Sequence, residues 1–104
     1  MSAAQITVAD NADRERYEIR VDGKLAGFVK YGLRSESIEL VHTEINDEFE
    51  GRGLGGRLIT FALDDARERG LAVLPTCPFA NDYMQRHRQY VDLVPEERRQ
   101  GFGL

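Results

Sequence analysis

Glu50-Gly51-Arg52-Gly53-Leu54-Gly55-Gly56-Arg57 is the stretch that decides how this chain folds. It sets four glycines in six positions. Glycine permits φ > 0 and lets a ligand come close, because no Cβ intervenes. Behind the glycines, Leu54, Leu58, Phe61, Ala62 and Ala66 recur at steps of 4, 3, 1 and 4. That is one face of an amphipathic helix. The glycines therefore open a helix, and a helix start carries unpaired N–H groups and the positive end of the dipole. Such an entrance suits a phosphate or pyrophosphate. Arg52 and Arg57 would add charge-assisted hydrogen bonds. The plain alternative is a turn without a ligand. Against it, each glycine costs up to ~1 kcal/mol relative to alanine once inside the helix.

Upstream of the glycines the period is two. Ile6-Thr7-Val8 is a short strand. Tyr17, Ile19 and Val21 alternate with Glu18 and Arg20, the pattern of a half-buried strand. Asp22-Gly23 follows, a strong signal for a two-residue hairpin. The returning strand runs over 24–31, with Leu25, Gly27, Val29 and Tyr31 predicted on one face. After a polar turn, residues 38–45 form a further strand. Downstream, Gly70 caps the helix, with Arg67 and Arg69 opposing its dipole in the last turn. Leu71-Ala72-Val73-Leu74 reads as a buried strand and 80–89 as a second helix. Strands, helix, strand, helix is an α+β order with a mostly antiparallel sheet. A single domain over 5–95 is expected, with 96–104 as a frayed, flexible tail.

Composition narrows the function classes. At 104 residues there is room for one core. No apolar run approaches the ~18 residues of a membrane span. The segment Met1-Ser2-Ala3-Ala4-Gln5 lacks the basic and apolar regions of a secretory signal, so a cytoplasmic protein is expected. One cysteine, Cys77, excludes an internal disulfide framework and a multi-cysteine zinc site. No metal is expected. A net charge of −4 argues against a broad nucleic-acid surface. That charge is unevenly spread. Residues 1–50 hold 6 basic against 11 acidic residues, and 51–104 hold 8 arginines against 7 acids. The basic residues of the second half are all arginine, which suits planar oxyanions.

The glycines formally fit G-x-G-x-x-G at Gly51, Gly53 and Gly56. The dinucleotide fold also requires a strand running straight into them and an acid about twenty residues on. Neither is present, and the chain is too short for that fold. No Lys-Ser/Thr follows, so a Walker loop is excluded.

The segment resembles the acetyl-coenzyme A loop of the GNAT superfamily of N-acetyltransferases, Gln/Arg-x-x-Gly-x-Gly/Ala. Gly53 and Gly55 fall on its small positions, and Glu50 stands where the family usually has Gln or Arg. The run His42-Thr43-Glu44-Ile45, the loop, Leu74-Pro75-Thr76-Cys77-Pro78-Phe79, and then Tyr83 and His87 is similar to the compact YjdJ-type subgroup. The resemblance spans roughly 7–94. It implies a minimal GNAT fold. The backbone of Thr43, Glu44 and Ile45 would bind the pantetheine arm like an added strand. The N–H groups of Gly51, Arg52, Gly53, Leu54, Gly55 and Gly56 would hold the pyrophosphate. A backbone N–H on the strand would polarise the acetyl carbonyl while an amine attacks. The segment 81–88 would flank the coenzyme, with Asn81 matching a family Asn. His87 on that segment either reaches the coenzyme phosphates or is simply solvated. The family's Tyr acid falls on Arg88, so that acid is absent or supplied elsewhere. The two acceptor-side helices of larger members have no room between Val8 and Tyr17, so the acceptor side should be open.

Acyl transfer to an amine needs a proton acceptor and donors for the oxyanion. His42 is the first candidate base, since imidazole exchanges protons near neutrality. Alternation places it with Ile38 and Leu40 on a packed face, and a purely hydrogen-bonding role stays open. Cys77, between Pro75 and Pro78, is the second candidate, as an acetyl-accepting thiolate. Its alternative is a small buried residue. The resulting expectation is an acetyl-CoA-dependent N-acetyltransferase acting by direct attack. A Cys77 intermediate is the secondary mechanism. A non-catalytic acyl-coenzyme A binding module is the rival, and hydrolysis a third possibility. The expected partners are acetyl-CoA and an unidentified amine, with neither nucleic acid nor membrane. A monomer or weak homodimer is expected.

Overall fold

The structure, a computed structural model, describes residues 3–104. Its sheet has five strands in chain order. These are β1 (Ile6–Asn11), β2 (Arg16–Val21), β3 (Lys24–Leu33), β4 (Ser37–Ile45) and β5 (Ala72–Pro75). β1 to β4 pair antiparallel, and β5 joins β4 in parallel. The parallel pair needs a crossover, and helix α1 (Leu54–Glu68) supplies it. The α+β class and the mostly antiparallel sheet are as expected.

The Asp22-Gly23 hairpin forms with φ of 50° and 83°, the two positive values of a type I′ turn. Tyr17, Ile19 and Val21 share one buried face. The other strands keep this alternation only in part, because two bulges shift it. Arg20 pairs with Leu25 and Ile19 with Gly27, so Ala26 is an extra residue on β3. Leu25 therefore leaves the face that holds Gly27, Val29 and Tyr31. Likewise Tyr31 pairs with Leu40 and Lys30 with His42, so Val41 is extra on β4. Beyond Val41 the parity reverses. His42 emerges on the face opposite Ile38 and Leu40 and is exposed, contrary to simple alternation.

α1 buries Leu54, Leu58, Ile59, Ala62, Leu63 and Ala66 against the first face. Phe61 lies at the margin of this stripe, its ring edge-on to Tyr17 at 5.8 Å. Gly70 (φ 70°) ends the helix, and Leu71 N–H closes back on Ala66 O at 2.9 Å, as a glycine C-cap requires.

α2 (Pro78–Arg86) begins two residues earlier than the pattern implied. Cys77 is its N-cap, accepting from Ala80 N–H through Sγ at 3.4 Å, and Pro78 takes the first helical position. A 3₁₀ segment over Arg88–Leu93 packs back on α1, where Arg67 grips Asp92 at 2.8 and 2.9 Å. Residues 96–104, expected to fray, instead form α3 (Glu96–Arg99) and a 3₁₀ turn. Phe102 and Leu104 pack against the core, and Arg99 Nε donates to Val94 O at 2.9 Å. Apolar residues on the segment anchor it, which its charged composition had obscured.

Both long helices lie on one side of the sheet. The opposite side carries Arg16, Glu18, Arg20, Phe28, Lys30, His42 and Glu44 by register and is covered by no helix among the described residues. Among the described residues no helix is long and apolar enough to cross a membrane.

Candidate functional site

β5 stays beside β4 only as far as the Leu40–Pro75 pair. Cys77 N–H then donates to Leu40 O at 2.8 Å and the chain turns into α2. The outer edge of β4 over residues 41–45 is left without a strand partner among the described residues. A cleft of about 350 Å³ opens beside this edge. Thr43 and Ile45 form its strand side, the loop and first turn of α1 one wall, and Phe79 the other.

The glycines do different jobs here. Gly51 and Gly53 have φ of 79° and 73°, so the chain turns into the helix through left-handed backbone. Gly55 has an ordinary φ, but a Cβ there would collide with the Phe79 ring. Gly53 is the N-cap of α1 and has no side chain to accept from the helix. The N–H groups of Leu54, Gly55 and Gly56 are therefore open to a ligand. No acid occupies the first turn, so the positive end of the dipole is unopposed there. A helix entrance of this kind suits an anion, held by backbone N–H groups.

Arg52 stands over the buried ring of Phe49 at 5.4 Å, on the shoulder of the loop. Arg57 lies around the helix, in a second cleft with Thr60, Phe61 and Val8 that shares Gly53 and Gly56 with the first. Glu50 lines the first cleft.

His42 sits across the strand from this cleft, on the open face. Its Nε2 lies 3.9 Å from Glu44 Oε1, and its ring 6.1 Å from that of Phe28. Cys77 is buried, with Sγ 3.3 Å from Thr43 Oγ1. Asn81 and His87 do not line the cleft. Asn81 Nδ2 donates to Phe102 O at 2.8 Å, and its Oδ1 accepts from Gln85 at 2.6 Å, so the amide ties down the last segment. His87 stacks on Tyr83 at 3.9 Å, with Nδ1 2.9 Å from Tyr83 O. Tyr83 in turn bonds Thr60 on α1.

Sequence reasoning passed over Phe79 and the bulge at Val41. Phe79 had a signal, a large residue placed to meet a glycine on a facing helix. The bulge had none in Leu40-Val41-His42.

No group of three or more metal-ligating side chains is gathered among the described residues.

A mostly antiparallel sheet that parts beside a bulged strand, with a glycine-rich uncapped helix at the opening, defines the GNAT class of fold. The family described as GCN5-related N-acetyl-transferase matches residues 16–93, and the chain belongs to it. Acyl transfer is the chemistry of that family. Protein NATD1 of Xenopus tropicalis is 26% identical over 87 residues, covering 82% of this chain and 80% of that one. A GCN5-like protein of Staphylococcus aureus, solved by NMR, shares the fold with a TM-score of 0.65 at 24% identity over 91% of each chain. The ribosomal-protein-alanine N-acetyltransferase of Brucella melitensis gives 0.57 at 18% identity, over 90% of this chain and 92% of that one.

Proposed function

We propose that this chain transfers an acetyl group from acetyl-coenzyme A to a primary amine by direct attack. One observation carries the reading. The free edge of β4 and the open N–H groups of α1 face the same cleft. Coenzyme A has that pair of needs, amides along its arm and a pyrophosphate at its end. The residues present fit it. The backbone at Thr43 and Ile45 would pair with the arm as an added strand. Leu54 and Phe79 would pack on its methylenes. The amides of residues 51–56 would hold the pyrophosphate, with Arg52 adjacent.

The coenzyme would supply an activated acyl group as a thioester. The chain would supply the rest. At the Val41 bulge the β4 backbone is released from regular pairing, and an N–H turned to the acyl oxygen would stabilise the developing oxyanion. His42, exposed on the open face, would take the proton from the incoming ammonium, with Glu44 beside it. Cys77 would stay out of the covalent chemistry, because its sulfur is buried and engaged with Ala80 N–H and Thr43.

Titration with acetyl-coenzyme A, followed by thiol release against a panel of amines, tests this. Saturable binding and amine-dependent release are expected. Gly53→Val should weaken binding at least about tenfold, since valine resists φ > 0. Equal affinity in that variant would overturn the cleft assignment. Tight binding without release across the panel would favour the non-catalytic binding module.

A further inference from the structure

α2 is a nine-residue helix that buries only Ala80 and Met84. A helix this short is marginal unless tertiary contacts hold it. One of its faces belongs to the cleft. Phe79 is the wall opposite the strand, its ring lying against Gly55, and one turn on Tyr83 bonds Thr60 of α1. Helical spacing sets Asn81 and Gln85 about half a turn round from Phe79 and Tyr83, on the far side of α2.

That far side is held by the last segment. Asn81 Nδ2 donates to Phe102 O at 2.8 Å, and Gln85 Nε2 donates to Asn81 Oδ1 at 2.6 Å. Just past α2, Arg88 donates to Leu104 O at 2.8 Å. The segment is shaped for these contacts. Gly103 takes a φ of 75°, which turns the chain so that Leu104 N–H returns to Arg99 O at 2.8 Å. Arg99 Nε fixes the segment to Val94 O at 2.9 Å, and Phe102 and Leu104 pack against the core. Among the described residues the cleft lining includes none from 96–104.

We infer that the last segment is a brace for the cleft, clamping α2 from behind through Asn81 and Arg88 and so fixing Phe79 at the width the coenzyme arm needs. Asn81 and Phe102 are positioning residues, with no contact to the coenzyme of their own. This rests on the reading of the cleft as the coenzyme site. Its thermodynamic form is a coupling between two separate places. If the docked segment favours bound coenzyme, bound coenzyme favours the docked segment by the same factor. One hydrogen bond or apolar anchor lost from the brace corresponds to about a fivefold coupling.

Two measurements on the full chain test it, and neither depends on turnover. The first is acetyl-coenzyme A affinity by calorimetry. Asn81→Ala and Phe102→Ala change no charge and should each weaken binding about fivefold. Phe102→Leu keeps an apolar anchor and should stay close to the parent. Tyr17→Phe removes a hydrogen bond to Asp65, far along α1 from the cleft, and should bind as the parent does. That control separates positioning from a general loss of stability. The second measurement is amide exchange with and without saturating acetyl-coenzyme A, which should slow the Gly103 and Leu104 amides by a similar factor. Parental affinity in Phe102→Ala, or amides of the segment indifferent to acetyl-coenzyme A, overturns the inference. Weakening in Asn81→Ala alone also overturns it, because Asn81 would then touch the coenzyme directly. Absence of binding by the parent chain removes the coenzyme reading and the brace with it, whereas binding that ignores the variants removes the brace alone.

Discussion

The thiol of Cys77 lies 3.3 Å from the hydroxyl of Thr43, joining the N-cap of α2 to the strand that borders the cleft proposed for the coenzyme. Sγ also accepts from Ala80 N–H at 3.4 Å. Serine at this position can make both contacts and is the better cap. Cys77→Ser should change stability by less than about 1 kcal/mol, whereas Cys77→Val leaves the Ala80 N–H without its acceptor and should cost about 1–2 kcal/mol. Thermal melts read both. Thiol release by Cys77→Ser should match the parent chain. Loss of release with coenzyme binding intact would restore the covalent route.

Much of the architecture was legible because it follows period and punctuation. Asp22-Gly23, the helical spacing from Leu54 and Gly70 each act through local backbone chemistry. The face of His42 was not legible. One extra residue at Val41 reverses the parity of everything after it, and valine there looks like any strand residue. The cap at Cys77 was hidden for a similar reason. Cysteine is a weak acceptor and an uncommon cap, so nothing in Thr76-Cys77-Pro78 marks the start of α2. The last segment misled through its charges, while Phe102 and Leu104, which dock it, are only two residues among many polar ones. The loop was readable as a glycine-rich entrance to a helix, but the partition of its glycines between conformation and contact needed Phe79 in place.

Gly55→Ala and Gly53→Ala should separate these two glycine roles. At Gly55 the added methyl meets the end of a half-exposed phenylalanine, which can swing aside. Alanine also gains up to about 1 kcal/mol of helix propensity, so stability should hold or rise while coenzyme affinity falls. At Gly53 the methyl meets open space but the backbone stays left-handed. That should cost about 1–2 kcal/mol of stability. Melting curves with and without acetyl-coenzyme A distinguish them. A stability loss at Gly55 exceeding that at Gly53 would contradict this division.

Tyr17 donates to Asp65 Oδ2 at 2.5 Å and Tyr31 donates to Asp10 Oδ1 at 2.6 Å. Burial, then the carboxylate neighbours, raise both phenols above the usual tyrosine range. Tyr90, held by Asp64, is raised to about 12, again by burial first. A raised folded value means the native chain holds protons that the unfolded chain releases. Stability from these groups is full below pH ~10 and declines as pH rises through the folded values. Alkaline unfolding should therefore start near pH ~10 and be less steep in Tyr17→Phe. That variant should also cost about 1–2 kcal/mol at neutral pH through the lost hydrogen bond to Asp65. Denaturant melts across alkaline pH measure both, and a parent stability flat through that range would contradict the assignment.

Glu18 contributes to the acid limit. It lies on the open face yet is buried beneath its own partners, with Arg16 Nε at 2.7 Å, Arg20 at 3.2 Å and Asn11 Nδ2 at 3.2 Å. Burial pushes its carboxyl up, but the hydrogen bonds from Arg16 and Asn11 and the charge of Arg16 overcome this and leave it lowered. Arg16 is itself held over Phe28, 4.5 Å from the ring centroid. A lowered folded value means stability is present above pH ~4.3 and is lost as pH falls through the folded value, when the native chain must accept a proton. Glu18→Gln leaves both arginines without their carboxylate and should cost about 1.5–3 kcal/mol at neutral pH. Its stability should then change less with acid than that of the parent. Parallel melts at neutral and acidic pH decide the matter: an equal drop in both proteins would mean that another carboxylate governs the acid transition.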